Sequence, residues 1–187
     1  MPRHSDRDAR PAPKRGGARD KSEPSGATTG FQTELERARE AALRLLTVRA
    51  RSIGELRERL ARKAFSEEVC ERIINDLAAV GLLDDRDFAR LWAEERVRLR
   101  PVGRRRLVSE LRTKKVDPAV IDEVAAEVYE EHSETELARR ALLKRTRAGG
   151  PEAVERQRRR LEGFLLRRGF SYATVATVLK NPEGEDS

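Results

Sequence analysis

At 187 residues the chain allows one large domain or a few small ones. Charged residues make up 39% and aromatics only 4%, a mix that argues against one large core and suits helices with long solvated faces. The net charge of +7 and a pI near 10.0 favour an anionic partner or an anionic assembly.

Of the 40 basic residues only 7 are Lys, leaving 33 Arg, a bias that a GC-rich genome produces without functional cause. The lone Cys70 has no partner for an internal disulfide, which suits a reducing cytosol. Its place beside the apolar positions of its helix makes it a small core filler. The chain opens without an apolar signal-peptide core and has no apolar run of about 18 residues, so a soluble cytoplasmic protein is expected.

The first thirty residues are Arg, Asp, Pro, Gly and Ser with almost nothing to bury, which predicts a disordered basic tail over 1–32. Order is expected from Thr33-Glu34-Leu35-Glu36, read as a capping box opening a helix to about Ala50 with Leu35, Ala38, Ala42 and Leu45 on one face. Ser52-Ile53-Gly54-Glu55 is a second capping box, followed by Leu56 and Leu60 at helical spacing. Phe65-Ser66 ends that helix and caps another carrying Val69, Ile73 and Leu77.

Next comes the stretch Leu82-Leu83-Asp84-Asp85-Arg86-Asp87-Phe88-Ala89. Gly81 suits the left-handed residue just after a helix, and Asp84 or Asp85 can accept hydrogen bonds from the amides that open the next one. Phe88, Leu91 and Trp92 then follow on what reads as one helical face. The three carboxylates are read as N-capping and a solvated first turn, because no His or further acidic pattern converges on them. A Mg²⁺-dependent nuclease built on Asp84, Asp85 and Asp87 is the weaker alternative.

The hinge helix is predicted from about Asp85 to Arg100, stopping at Pro101. A short helix through Leu107 and Leu111 follows. Asp117-Pro118 then restarts the chain, with Asp117 as N-cap and Pro118 on the first helical position, where its missing N–H costs nothing. A third round begins near Glu134, breaks at Ala148-Gly149-Gly150-Pro151, and runs on through Leu161 and Leu165 to Gly169-Phe170-Ser171.

The rounds align directly: Leu56-x3-Leu60-x4-Phe65-Ser66, Leu107-x3-Leu111-x4-Val116-Asp117 and Leu161-x3-Leu165-x4-Phe170-Ser171. Such a period marks stacked units, each too small to bury its face alone. The expected fold is all-α: an elongated, curved array of three tandem three-helix repeats over 33–82, 83–132 and 133–181, with a polar tail over 182–187.

Four motifs now carry a resemblance. They are Ala42-Leu43-x-Leu45-Leu46-x-x-Arg49-x-Arg51-Ser52-x-x-Glu55-Leu56, Gly81-Leu82-Leu83-Asp84-Asp85-x-x-Phe88-Ala89, Gly103-x-x-x-Leu107-x-x-Glu110-Leu111 and Leu165-x-x-Arg168-Gly169-Phe170. In this order and on this period they resemble the RecX family of regulators. Where that family's pattern has glycine before Phe65 and Val116, this chain has Ala64 and Lys115. Left-handed residues there would cost about 1 kcal/mol relative to glycine, or else the turns differ.

The resemblance implies a monomer that lays itself into the groove of the RecA recombinase filament on DNA. There it would restrain filament extension, ATP hydrolysis and strand exchange. The residues agree on separate grounds. No GxxxxGK(S/T) loop is present, no Ser/His/Asp or Cys/His set is apparent, and His4 and His132 are isolated. No enzyme, no cofactor and no metal site is expected.

For binding, Arg98, Arg100, Arg104, Arg105 and Arg106 form the densest basic run, with Lys114 and Lys115 further along. Arg156, Arg158, Arg159, Arg160, Arg167 and Arg168 form a second. Arg suits acidic side chains and phosphates alike, since its fork bonds both bidentately. Solvated helix surface is the competing explanation for both runs. The alternative function is direct DNA binding by an architectural or helix-turn-helix protein acting without a recombinase. Against it, the basic residues are spread over several helices and few aromatics are available to stack bases.

Overall fold

The computed structural model describes residues 25–143 and 151–181, with side chains described over 29–143 and 155–181. Among these residues there are nine α-helices and no strand: α1 (Ser25–Val48), α2 (Ile53–Ala61), α3 (Glu67–Ala79), α4 (Asp85–Leu99), α5 (Arg104–Thr113), α6 (Pro118–Glu131), α7 (Glu134–Leu142), α8 (Pro151–Arg167) and α9 (Tyr172–Lys180). They pack in consecutive threes. The closest helix–helix packing lies inside each three, with α1 against α3, α4 against α6 and α7 against α9. The molecule is an elongated, curved all-α array of three tandem three-helix repeats.

Each repeat turns in the same way. The middle helix ends on a left-handed residue: Ala64 (φ 62°), Lys115 (φ 59°) and Gly169 (φ 84°). The two turns lacking glycine therefore keep the geometry of the one that has it. In the second and third repeats the amide just after that residue donates back to the anchoring leucine's carbonyl, Val116 to Leu111 at 3.2 Å and Phe170 to Leu165 at 3.3 Å. The anchors Leu60, Leu111 and Leu165 are fully buried. Ser52, Asp117 and Ser171 cap the helices that follow them, each accepting a backbone amide.

The core falls into two bodies. One belongs to the first repeat, with Leu56, Leu60, Val69, Ile73 and Leu77 at its centre and the buried Cys70 as filler. The other is shared by the second and third repeats and joins Leu107, Leu111, Ile121 and Val124 to Leu137, Leu165, Phe170 and Val178.

Four local expectations need correcting. Helix α1 starts at Ser25, so residues 25–32 are helical, and the proposed box at Thr33 lies inside the helix, where the Thr33 hydroxyl donates to the Thr29 carbonyl at 3.0 Å. Phe31 packing on the first core accounts for the extension. The rest of the expected tail, 1–24, the break at 144–150 and the polar tail at 182–187 lie outside the described residues. Ser66 takes the N-cap position of α3, but its hydroxyl makes no cap bond; its amide instead donates to Glu34 at 2.6 Å. Leu91 is 62% exposed, because Ala89, Ala93 and Val97 centre the buried face of α4 away from it.

Asp85 is the fourth correction. Asp84 is the N-cap of α4, accepting from the Arg86 and Asp87 amides. Asp85, by contrast, is buried rather than solvated, and its carboxylate accepts the Ile53 amide of the preceding repeat at 2.7 Å. The Asp117 amide also donates to it, yet burial still pushes its pKa above the usual carboxylate value.

This arrangement repeats along the array. Glu134, the first residue of α7, accepts the Arg104 amide that opens α5 at 3.0 Å and the Thr174 hydroxyl of α9 at 2.8 Å. Beside each carboxylate two backbones meet. Gly54 lies against Lys115, and Gly103 donates to the Arg168 carbonyl at 2.9 Å. A first-residue carboxylate and a close backbone crossing therefore join each repeat to the next.

Candidate functional site

An open cleft of about 1440 Å³ lies on the last repeat. The end of α4 contributes Leu99 and Pro101, α7 contributes Arg140, Ala141 and Leu143, and α8 supplies the remaining wall. On α8 the residues Arg156, Arg160, Gly163 and Arg167 follow at steps of four, three and four, which puts them on one helical face. With Arg140, Arg159 and Arg168 the described lining holds six arginines in all and no carboxylate.

The thirteen basic residues singled out from the sequence divide by environment: Arg158 is exposed outside the described cleft lining, and Arg160 lies in it. Arg156, Arg159, Arg167 and Arg168 line the cleft. Arg159 also pairs with Glu155 on its own helix at 3.4 Å. Arg168 is partly structural: it donates to the Pro101 carbonyl at 2.8 Å and lies 4.7 Å from the Phe164 ring centroid. Arg98 and Arg100 are exposed at the end of α4, and the Arg98 carbonyl accepts from Arg140 at 3.3 Å.

Arg104, Arg105 and Arg106 occupy the first turn of α5, all exposed, at the end where the helix dipole disfavours cations. The Glu134 carboxylate on the Arg104 amide offsets part of that cost. Arg106 is tied to Glu110 at 2.9 Å. Glu110 also accepts from Arg96 at 2.6 Å and from the Trp92 indole at 3.1 Å. Burial raises the Glu110 pKa, but these three donors outweigh it and hold the carboxyl below its usual range.

Lys114 and Lys115 belong to the joint between the first two repeats. Lys114 reaches Glu55 at 3.5 Å and sits 4.7 Å from the Trp92 ring centroid, and Lys115 pairs with Glu58 at 2.9 Å. Glu55 in turn takes two bonds from Arg49, at 2.8 and 3.0 Å.

Sequence reasoning missed Arg140 as a cleft residue. Its signal was the Arg139-Arg140 pair interrupting the apolar pattern of α7, but only the packing of α7 beside α8 brings it to the others. A second, smaller groove of about 450 Å³ lies between the end of α1 and the hinge, with the exposed Leu43, Leu82 and Leu91 in its lining. Among the described residues no group of three His, Cys, Asp or Glu is placed to hold a metal. No described helix is long and apolar enough to cross a membrane.

Comparison with known proteins agrees with this architecture. Models of the first, second and third RecX three-helix domains match residues 38–77, 84–124 and 133–179. The regulatory protein RecX of Amycolatopsis mediterranei is 40% identical over 149 residues, 80% of this chain and 85% of its own. That of Mycolicibacterium smegmatis is 38% identical over 172 residues, covering 86% and 92%. The crystal structure of RecX from Lactobacillus salivarius superposes with a TM-score of 0.69 at 20% identity, over 81% of this chain and 98% of that one. A second crystal structure of a regulatory protein RecX gives 0.71 at 22% identity, over 83% and 77%. With three successive domains matched on three successive structural repeats, the chain belongs to the RecX family of regulatory proteins.

Proposed function

We propose that this protein is a non-catalytic cytoplasmic regulator that binds, as a monomer, to the RecA recombinase filament on DNA. Bound there, it restrains filament extension, ATP hydrolysis and strand exchange, and so modulates recombination and repair. The observation that carries the reading is a cleft whose described lining holds six arginines, on a repeat array of a regulatory family. Arginine forks fit acidic side chains and phosphates alike, and a filament of protein on DNA presents both. Any effect on ATP hydrolysis must act through the partner's own site, because the chain has no phosphate-cradling glycine loop.

Arg104 and Arg105 add a second exposed basic surface at the start of α5. Arg106 is a poor probe of binding, because its bond to Glu110 ties it to the Trp92 cluster.

The test is the single-strand-dependent ATPase of the cognate RecA as this protein is titrated in, beside binding to the same DNA without RecA. Inhibition at concentrations too low to cover the DNA is expected. Arg104→Glu with Arg105→Glu should weaken it about tenfold or more, with an unchanged far-UV CD spectrum. Inhibition that sets in only when the DNA is saturated would replace this reading with direct competition for the strand. Binding to DNA alone would then fall steeply with added salt.

A further inference from the structure

We infer that the groove between the end of α1 and the hinge is a docking site for an amphipathic helix of a protein partner, whose apolar anchors pack on Leu43, Leu82 and Leu91 and whose carboxylate pairs with Arg51. The inference does not rest on the filament reading, since neither the cleft on the last repeat nor the arginines of α5 take part in it.

Three observations converge on this groove of about 450 Å³. The first is Arg51, which lines the groove although it is only 9% exposed. Its Nε donates to the Leu45 carbonyl at 3.1 Å, while Nη1 and Nη2 have neither an acceptor nor a paired carboxylate among the described residues. The acid that attracts it, Glu55, already takes two bonds from Arg49 and one from Lys114. Among the described residues the one sealed side-chain nitrogen lacking an acceptor is Nε of Arg139, so the two ends of the Arg51 fork open into the groove. Burial and the neighbouring Arg49 charge push the Arg51 pKa below the usual guanidinium value. A guanidinium largely removed from water without a counter-charge is costly, and an entering carboxylate offsets that cost with a two-pronged, charge-assisted bond.

The second is apolar surface. Three of the eight large apolar side chains that stand exposed among the described residues gather here: Leu43 at 40%, Leu82 at 57% and Leu91 at 62%. Such clustering, beside a buried charge, marks an interaction site more strongly than single exposed leucines do. An amphipathic helix offers side chains at i, i+3, i+4 and i+7 to a groove of this kind.

The third is position. The lining also includes Leu46, which packs on the core of the first repeat, and Phe88, which belongs to the core of the second and third. A helix in the groove therefore touches both sides of the joint. Asp84 and Asp87 stand exposed in the same lining. They disfavour a nucleic-acid strand or an anionic membrane, whose many phosphates would meet them, and leave room for a single carboxylate at Arg51.

The experiment uses the full chain and three labelled probes, read by fluorescence anisotropy. One is a synthetic peptide, amidated at its C-terminus, with leucines at i, i+4 and i+7, one glutamate beside them and lysines on the outer face. The second replaces that glutamate by glutamine, and the third is oligothymidylate. The glutamate peptide should bind, gain helical CD signal, and exceed the glutamine peptide by about tenfold in affinity. Leu82→Ser with Leu91→Ser, both at exposed positions, should weaken it by about tenfold with unchanged thermal unfolding. In Arg51→Gln the preference for glutamate over glutamine should vanish, a coupling that general loss of structure does not mimic. Where Arg51→Gln unfolds, the native chain's own preference and the two-leucine variant decide the matter. Equal binding of the two peptides, leucine variants without effect, or absence of peptide binding would each overturn the docking site. Tighter binding of oligothymidylate that is lost in Arg51→Gln would reassign the groove to nucleic acid.

Discussion

Ala64 and Lys115 occupy a conformation that L-residues rarely adopt, while Gly169 fills the same turn at no steric cost. The strain is compensated at Lys115, whose side chain pairs with Glu58 and whose backbone lies against Gly54. Ala64, by contrast, is an exposed alanine with no side-chain group to pair. Ala64→Gly is therefore expected to stabilise the protein by about 0.5–1 kcal/mol, the left-handed penalty less the added freedom of the unfolded chain. A urea midpoint that stays put or falls would contradict this.

Position also decides what each acid does. Asp84 and Asp85 are adjacent, yet one caps its own helix on the surface and the other is buried against the preceding repeat. Both residues are equally polar; the difference is which one the helix turns toward Ile53.

At the scale of elements, the joints depend on how closely two backbones approach. A Cβ on Gly103 would come within 2.2 Å of the Gly169 carbonyl oxygen, a contact with backbone that no rotamer change relieves. Gly103→Ala should push α5 away from the turn after α8 and stretch the Glu134 bond to the Arg104 amide. The expected loss is about 1–3 kcal/mol, the range for overpacking, measured by urea unfolding followed by CD. A loss of less than about 0.5 kcal/mol, typical of surface substitutions, would mean that the joint gives way without cost.

The carboxylate at each joint acts at two helix starts. Glu134 serves α5 and α9, and Asp85 serves α2 and α6. Glu34, at the equivalent place in the first repeat, accepts the Ser66 amide of α3. Helix α1 continues past it toward the N-terminus, and α8 is likewise longer than α2 and α5.

Over the whole molecule, the division of the core sets cooperativity. The second and third repeats share one apolar body, while the first repeat has a separate one that takes in Leu83 at the joint and meets the second repeat further through the Asp85–Ile53 and Lys114–Glu55 contacts. In a repeat array, stability is a sum of unit and interface terms, so the weaker interface is where the transition separates. Asp85→Asn, which weakens the carboxylate at that interface, should split urea unfolding into two steps. Native-state hydrogen exchange should then place α1–α3 in the less stable unit. A single transition, coincident by CD and by the emission of Trp92, would show that the first joint couples the units more strongly than its contacts suggest.

The sequence by itself determined the order of the helices, the positions of the repeat turns, the threefold repeat and the family. All of these rest on short-range patterns: apolar spacing on one helix face, cap residues, and a fixed position for the left-handed turn. Such signals lie within a few residues of one another and survive without knowledge of the fold. Only the tertiary structure decided that Leu91 faces solvent, that Asp85 and Glu134 bind the repeats together, and that Lys114 and Lys115 sit at a joint. It also brought Arg140 of α7 beside the arginines of α8. Each of these depends on groups up to about sixty residues apart in the chain, whose meeting is fixed by how the repeats pack.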